Sequence, residues 1–226
     1  YAGDNSADKT KELLANLSPL EIDFSAGQDK KPVNKDTSAN NMAAAIKVDD
    51  TLDKKVPVNP TTNKNSFVVI IGNEDYQRVS KVNYALNDAN TFANYCQKTL
   101  GIPQQNIRCY RNATYGTMLS ALDEIKGIAN AYHGNLDVIF YYAGHGVPSE
   151  ADKNAYLLPV DADGVRTEVC LSTKRLYQTL GELNAKNVVV FMDACFSGAQ
   201  RGEGMLASAR GVALKVKADV PQGNTI

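Results

Sequence analysis

From Ser66 onward the apolar and polar positions of this chain alternate between two rhythms. "SFVVIIG" (Ser66–Gly72) is an unbroken apolar run rich in β-branched residues, which predicts a strand buried on both faces. "VNYALNDANTFANYCQKTLG" then places Tyr84, Leu86, Phe92, Tyr95 and Leu100 at helical spacing, with Gly101 suited to the stop. "NIRCYRN" (Asn106–Asn112) predicts a short strand, and a second helix follows on Met118, Leu119, Leu122, Ile125 and Ile128, closing at Gly134. "LDVIFYYAG" (Leu136–Gly144) is the next buried strand. "AYLLPVDAD" comes after a polar loop, "STKRLYQTLGEL" is a helix with Ser172 as N-cap, and "KNVVVFMD" (Lys186–Asp193) is the last clear core strand. Strands alternating with crossover helices imply an α/β chain: a three-layer sandwich with a mostly parallel central sheet and helices on both faces.

The chain before this pattern has another character. Residues 1–64 are rich in Lys, Asp, Asn, Ser and Thr, and only "DKTKELLANLSPLEI" suggests a short amphipathic helix. Such composition buries too little apolar surface to fold alone. It reads as a tether or pro-segment that packs in pieces on a body formed by residues 65–226. Composition narrows the function classes. A formal net charge of −1 offers nothing to attract nucleic acid or an anionic membrane. No apolar run reaches the ~20 residues that cross a bilayer. The chain opens on Tyr1 without a secretory signal, and the expectation is an exported protein whose upstream segment has been removed. The 4 cysteines (Cys96, Cys109, Cys170, Cys195) form no CxxC pair, which argues against a zinc site and a disulfide framework. Cys96 and Cys109 fall within a predicted helix and a predicted strand, as reduced core thiols do.

Two strand ends carry candidate chemistry. "YYAGHG" places His145 at the carboxyl edge of one strand, and "FMDACFSG" places Cys195 at the carboxyl edge of another. In a parallel sheet both edges lie on one side, where open α/β folds bind ligands. The separation, 195 − 145 = 50 residues, matches the histidine-to-cysteine spacing of caspase-type sites. An ordinary thiol is mostly protonated at neutral pH, so a nucleophilic cysteine needs an imidazole beside it. Gly144 and Gly146 flank the histidine, and the N–H groups of Gly146 and Cys195 are the natural donors to an oxyanion. The plainer reading makes Cys195 a small apolar plug and "GHG" a turn.

The blocks "VVIIGNEDY", "ALNDANTF", "IFYYAGHG", "YLLPVD" and "VVVFMDACFSG" resemble, in order and spacing, caspase-like cysteine peptidases, especially bacterial caspase-like proteins and metacaspases. The resemblance covers roughly residues 67–208. It implies a caspase–hemoglobinase fold and a dyad in which His145 is the histidine and Cys195 the nucleophile. Animal caspases hold a P1 aspartate with arginines, whereas metacaspases hold P1 Arg or Lys with acids. By that resemblance Asp88 and Asp193 are the pocket acids and Ala143 stands where a pocket serine is found. The plainer roles are a helix cap for Asp88 and a loop organiser for Asp193. "VCLSTK" replaces the acidic cluster that binds calcium in many metacaspases, so no metal or other cofactor is expected.

The expected partner is a peptide or protein substrate. Relatives continue into further strands, so a complementary C-terminal chain is expected as well, released by cleavage after Arg201, Arg210, Lys215 or Lys217. Two other functions compete. One is the same fold with an idle dyad, used for binding or regulation. The other is a flavodoxin-like nucleotide module, against which "GNEDYQ" speaks, being acidic with a single glycine.

Overall fold

Strand β1 (Ser66–Gly72) is buried along its whole length, as its unbroken apolar sequence requires. A computed structural model describes residues 55–149 and 152–194 of the chain. Around β1 the elements run α1 (Ala85–Lys98), β2 (Ile107–Arg111), α2 (Tyr115–Ala131), β3 (Asp137–Ala143), β4 (Gly146–Pro148), β5 (Ala155–Leu157), β6 (Leu171–Ser172), α3 (Thr173–Gly181) and β7 (Asn187–Asp193). The main sheet has the order β2-β1-β3-β7, with every pair parallel. The chain leaves β1 toward β2 on one side and later returns to β3 on the other. Open α/β sheets bind ligands beyond the carboxyl ends of the strands at such a reversal, here β1 and β3.

Period-two alternation sorts the side chains into layers. Phe67, Val69, Ile71, Val138, Phe140, Tyr142 and Val188 point to one face, under Met118, Leu122 and Ile125 of α2 and Leu176 and Leu180 of α3. Val68 and Ile70 point to the other, under Ala89, Ala93 and Cys96 of α1. The described residues therefore form the expected three-layer α/β sandwich. Two helices begin on side-chain caps: Thr114 Oγ1 accepts from the Thr117 N–H at 3.2 Å, and Ser172 Oγ accepts from the Arg175 N–H at 3.1 Å. The latter is the cap read from sequence.

One detail differs from the sequence expectation. Helix α1 does not bury the face of Tyr84, Leu86, Phe92, Tyr95 and Leu100. Its buried positions are Ala85, Ala89, Ala93 and Cys96, while Tyr84 and Leu100 are exposed. Small residues let the helix lie close on β1: a Cβ added to Gly72 would stand 2.8 Å from Ala89 Cβ. Residues 155–157, in "AYLLPVDAD", belong to a separate antiparallel sheet, β4-β5-β6, rather than to the main one. Residues 55–64 run beside the end of α1, where Thr99 Oγ1 donates to the Pro57 carbonyl at 2.7 Å and the Asn63 N–H to the Gly101 carbonyl at 2.8 Å. The short helix expected within residues 8–22 lies outside the described residues. Among the described residues, no helix is long and apolar enough to cross a membrane.

Candidate active site

His145 stands two residues beyond β3, after Gly144. The strand end is tied to both neighbours: the Asn73 N–H donates to the Ala143 carbonyl at 2.8 Å, and the Gly144 N–H to the Asp193 carbonyl at 3.2 Å. Glycine is required at 144, because a Cβ there would lie 2.7 Å from Tyr76 Oη and 2.8 Å from Tyr142 Oη. The backbone of His145 is held on both sides. Its N–H donates to Tyr76 Oη at 2.8 Å, and its carbonyl accepts from Tyr142 Oη at 2.9 Å and from the Leu158 N–H at 3.1 Å.

The imidazole is oriented as firmly. Nε2 lies 2.7 Å from the Ser80 carbonyl oxygen. A carbonyl only accepts, so Nε2 carries the proton and Nδ1 of the neutral ring carries the lone pair. Among the described residues Nδ1 has no hydrogen-bond partner. The Tyr76 ring covers the imidazole at 4.7 Å between centroids, tilted by 39°. Burial pulls the His145 pKa below its ordinary 6.5, and the Ser80 carbonyl opposes the shift in part. A base with a free lone pair, kept neutral near pH 7, is what a thiol requires for activation.

The segment that supplies Tyr76 and Ser80 is anchored at its root by Asn73, whose side chain is fully buried. Its Oδ1 accepts from the Ala113 N–H at 2.7 Å and its Nδ2 donates to the Leu158 carbonyl at 3.0 Å. Asn112 Oδ1 accepts from the N–H groups of Glu74 and Asp75, and the Gln77 N–H donates to the Val160 carbonyl at 2.9 Å. Glu74 Oε2 accepts from the Leu86 N–H of α1 at 3.1 Å and Glu74 Oε1 pairs with Lys81 at 2.8 Å. Sequence reasoning missed Asn73, Glu74, Tyr76 and Ser80. An aromatic within a polar loop at the end of a buried strand was a readable signal for Tyr76. Ser80 acts through its backbone and leaves none.

The other residues singled out from sequence fall as follows. Gly146 is the first residue of β4. The bond between Leu158 and His145 makes Gly146–Leu157 the non-hydrogen-bonded pair of the ladder, so the Gly146 N–H is not spent on β5. Ala143 is buried and pairs in register with Asp193, which is exposed at the end of β7. Asp88 sits in the first turn of α1 with its N–H on the Tyr84 carbonyl at 2.8 Å; the N-cap position is Tyr84. Asp88 is therefore a first-turn residue of α1 and not its N-cap. The carboxylates of Asp88 and Asp193 both act on Tyr141, whose pKa is raised by burial first and then by these two charges. Tyr141 stacks on Phe92 at 4.4 Å, and Phe92 meets the half-exposed Phe191 at 5.3 Å. The two acids thus share one corner at the carboxyl edge of the sheet, beside an aromatic wall.

Cys195 and the basic residues at 201, 210, 215 and 217 lie outside the described residues. The remaining three cysteines are free and unsuited to nucleophilic work. Burial pushes the Cys96 and Cys170 thiols up to about 12 and raises that of Cys109. Among the described residues no group of His, Cys, Asp and Glu is arranged to hold a metal ion.

The profile of the caspase domain matches residues 65–222. No curated protein matches the chain. Among solved structures, that of a Geobacter sulfurreducens protein is similar, at 22% identity over 61% of this chain with a TM-score of 0.46. The chain spans 52% of that structure's length.

Proposed function

Because the chain belongs to the caspase-domain family of cysteine peptidases, we propose that it is an endopeptidase with a His145–Cys195 dyad that cleaves after Arg or Lys. One observation carries the reading. Ala143 of β3 pairs in register with Asp193 of β7, and each precedes one member of the dyad by two residues. The spacing of 195 − 145 = 50 is the register offset of the two strands, 193 − 143 = 50. With the Cys96 and Cys170 thiols buried and that of the half-buried Cys109 raised by desolvation, Cys195 is the cysteine left for nucleophilic attack.

In this mechanism His145 Nδ1 takes the Cys195 Sγ proton as sulfur attacks the scissile carbonyl carbon. Negative charge collects on the carbonyl oxygen, for which the N–H groups of Gly146 and Cys195 are the proposed donors. Collapse of the tetrahedral species breaks the C–N bond, and the leaving amine takes the proton back from the imidazolium. Water then attacks the thioester by the same route, releasing the acid and the thiol.

The acidic corner supports the basic preference. Asp88 and Asp193 supply two charges for a guanidinium or ammonium. Calcium is not part of the proposal. The experiment is a fluorogenic panel with P1 Arg, Lys and Asp, run with and without a chelator. Preference for P1 Asp would overturn the specificity, and a strict calcium requirement would overturn the metal-free reading.

A further inference from the structure

Tyr76 lies 69 residues before His145 in the chain and touches it at two points. Its hydroxyl takes the one backbone N–H that β3 no longer employs, and its ring covers the imidazole. Four residues on, Ser80 fixes the Nε2 proton. The same short segment therefore sets the backbone position, the ring plane and the tautomer of His145.

We propose that Tyr76 is a positioning residue for His145, holding the imidazole in the plane in which Nε2 meets the Ser80 carbonyl and Nδ1 is left open to a reacting thiol. This rests on the peptidase reading for its catalytic meaning, while the geometry stands apart from it. Burial pushes the phenol pKa up to about 12, so Tyr76 remains a neutral, ordered group across the working range. Among the described residues, no charged side chain takes over the role. Tyr142 reaches His145 only through its hydroxyl on the carbonyl, and Asp193 reaches the turn only through its own carbonyl on Gly144. Lys81, next to Ser80, is turned to Glu74 at 2.8 Å and Asp75 at 3.3 Å.

The chain contains 2 histidines, and the other, His133, is exposed with φ 51°, a conformation asparagine accepts. In a His133→Asn background, nitrogen-15 NMR reads His145 alone. Tyr76→Leu removes ring and hydroxyl. The His145 pKa should then rise toward the ordinary value, the Nε2–H tautomer signature should weaken, and kcat should fall between about ten- and a hundredfold with KM little changed. Tyr76→Phe restores the ring and should recover most of the pKa shift, while the His145 amide, without its acceptor, exchanges faster with deuterium. An unchanged pKa and tautomer in folded Tyr76→Leu would overturn the proposal. Should that variant fail to fold, unchanged amide protection in Tyr76→Phe would overturn it instead. If the NMR changes appear but the wild type cleaves no peptide, the peptidase reading falls and the Tyr76–His145 bracket stands.

Discussion

At His145 a single ring explains both what the site can do and how it answers pH. The folded-state pKa is depressed below 6.5, so the native chain binds fewer protons than the unfolded one as pH falls below that value. Stability is therefore lost on acidification through the unfolded pKa toward the folded one. Activity that needs neutral imidazole should survive further into acid than an exposed histidine allows. We expect the acidic limb of kcat/KM to lie below pH 6.5, and a limb above 7 would show that the base is not this buried ring. His145 itself was legible, because "GHG" after an apolar run puts a titratable group between two residues that leave room for substrate. Its orientation was not. Ser80 contributes a carbonyl that any residue would carry, and Tyr76 is remote in sequence.

At the scale of elements, the seating of α1 on β1 decides where Asp88 stands. Ala85 and Ala89 meet Gly72, where an added Cβ would come to 3.0 Å from the Ala85 carbonyl oxygen. Gly72→Ala should cost about 1–3 kcal/mol through overpacking, read as a lower denaturation midpoint at unchanged slope. A neutral effect would mean that the helix shifts freely. Asp88→Asn should weaken cleavage after Arg by about tenfold, the loss of one charge-assisted contact, while leaving any cleavage after uncharged residues alone. Equal loss on all substrates would point to a structural role. Existence and order of α1 and α2 were readable from the 3.6 periodicity. The buried face of α1 was not, because larger apolar residues at the same spacing drew the assignment away from its alanines. For α2, Met118, Leu122, Ile125 and Ile128 are both the expected and the observed core.

For the whole molecule, strand order and register turn a sequence distance into a spatial one. Parallel β3 and β7 with an offset of 50 put the two motif-bearing ends on the same edge, next to the reversal of strand order at β1. The alternation of apolar runs and helices made this architecture legible. The small antiparallel sheet was hidden because its strands are only two to three residues long. Self-processing belongs to this scale. If the pocket accepts Arg or Lys, new termini should follow Arg201, Arg210, Lys215 or Lys217 on incubation, and mass spectrometry should find them in wild type but not in Cys195→Ala. The most direct measurement is kcat/KM on a P1 Arg peptide for wild type beside Cys195→Ala. A loss of at least about a thousandfold is expected, matched closely by His145→Ala because the two act as one unit. Retention of most of the activity in Cys195→Ala would contradict the assignment.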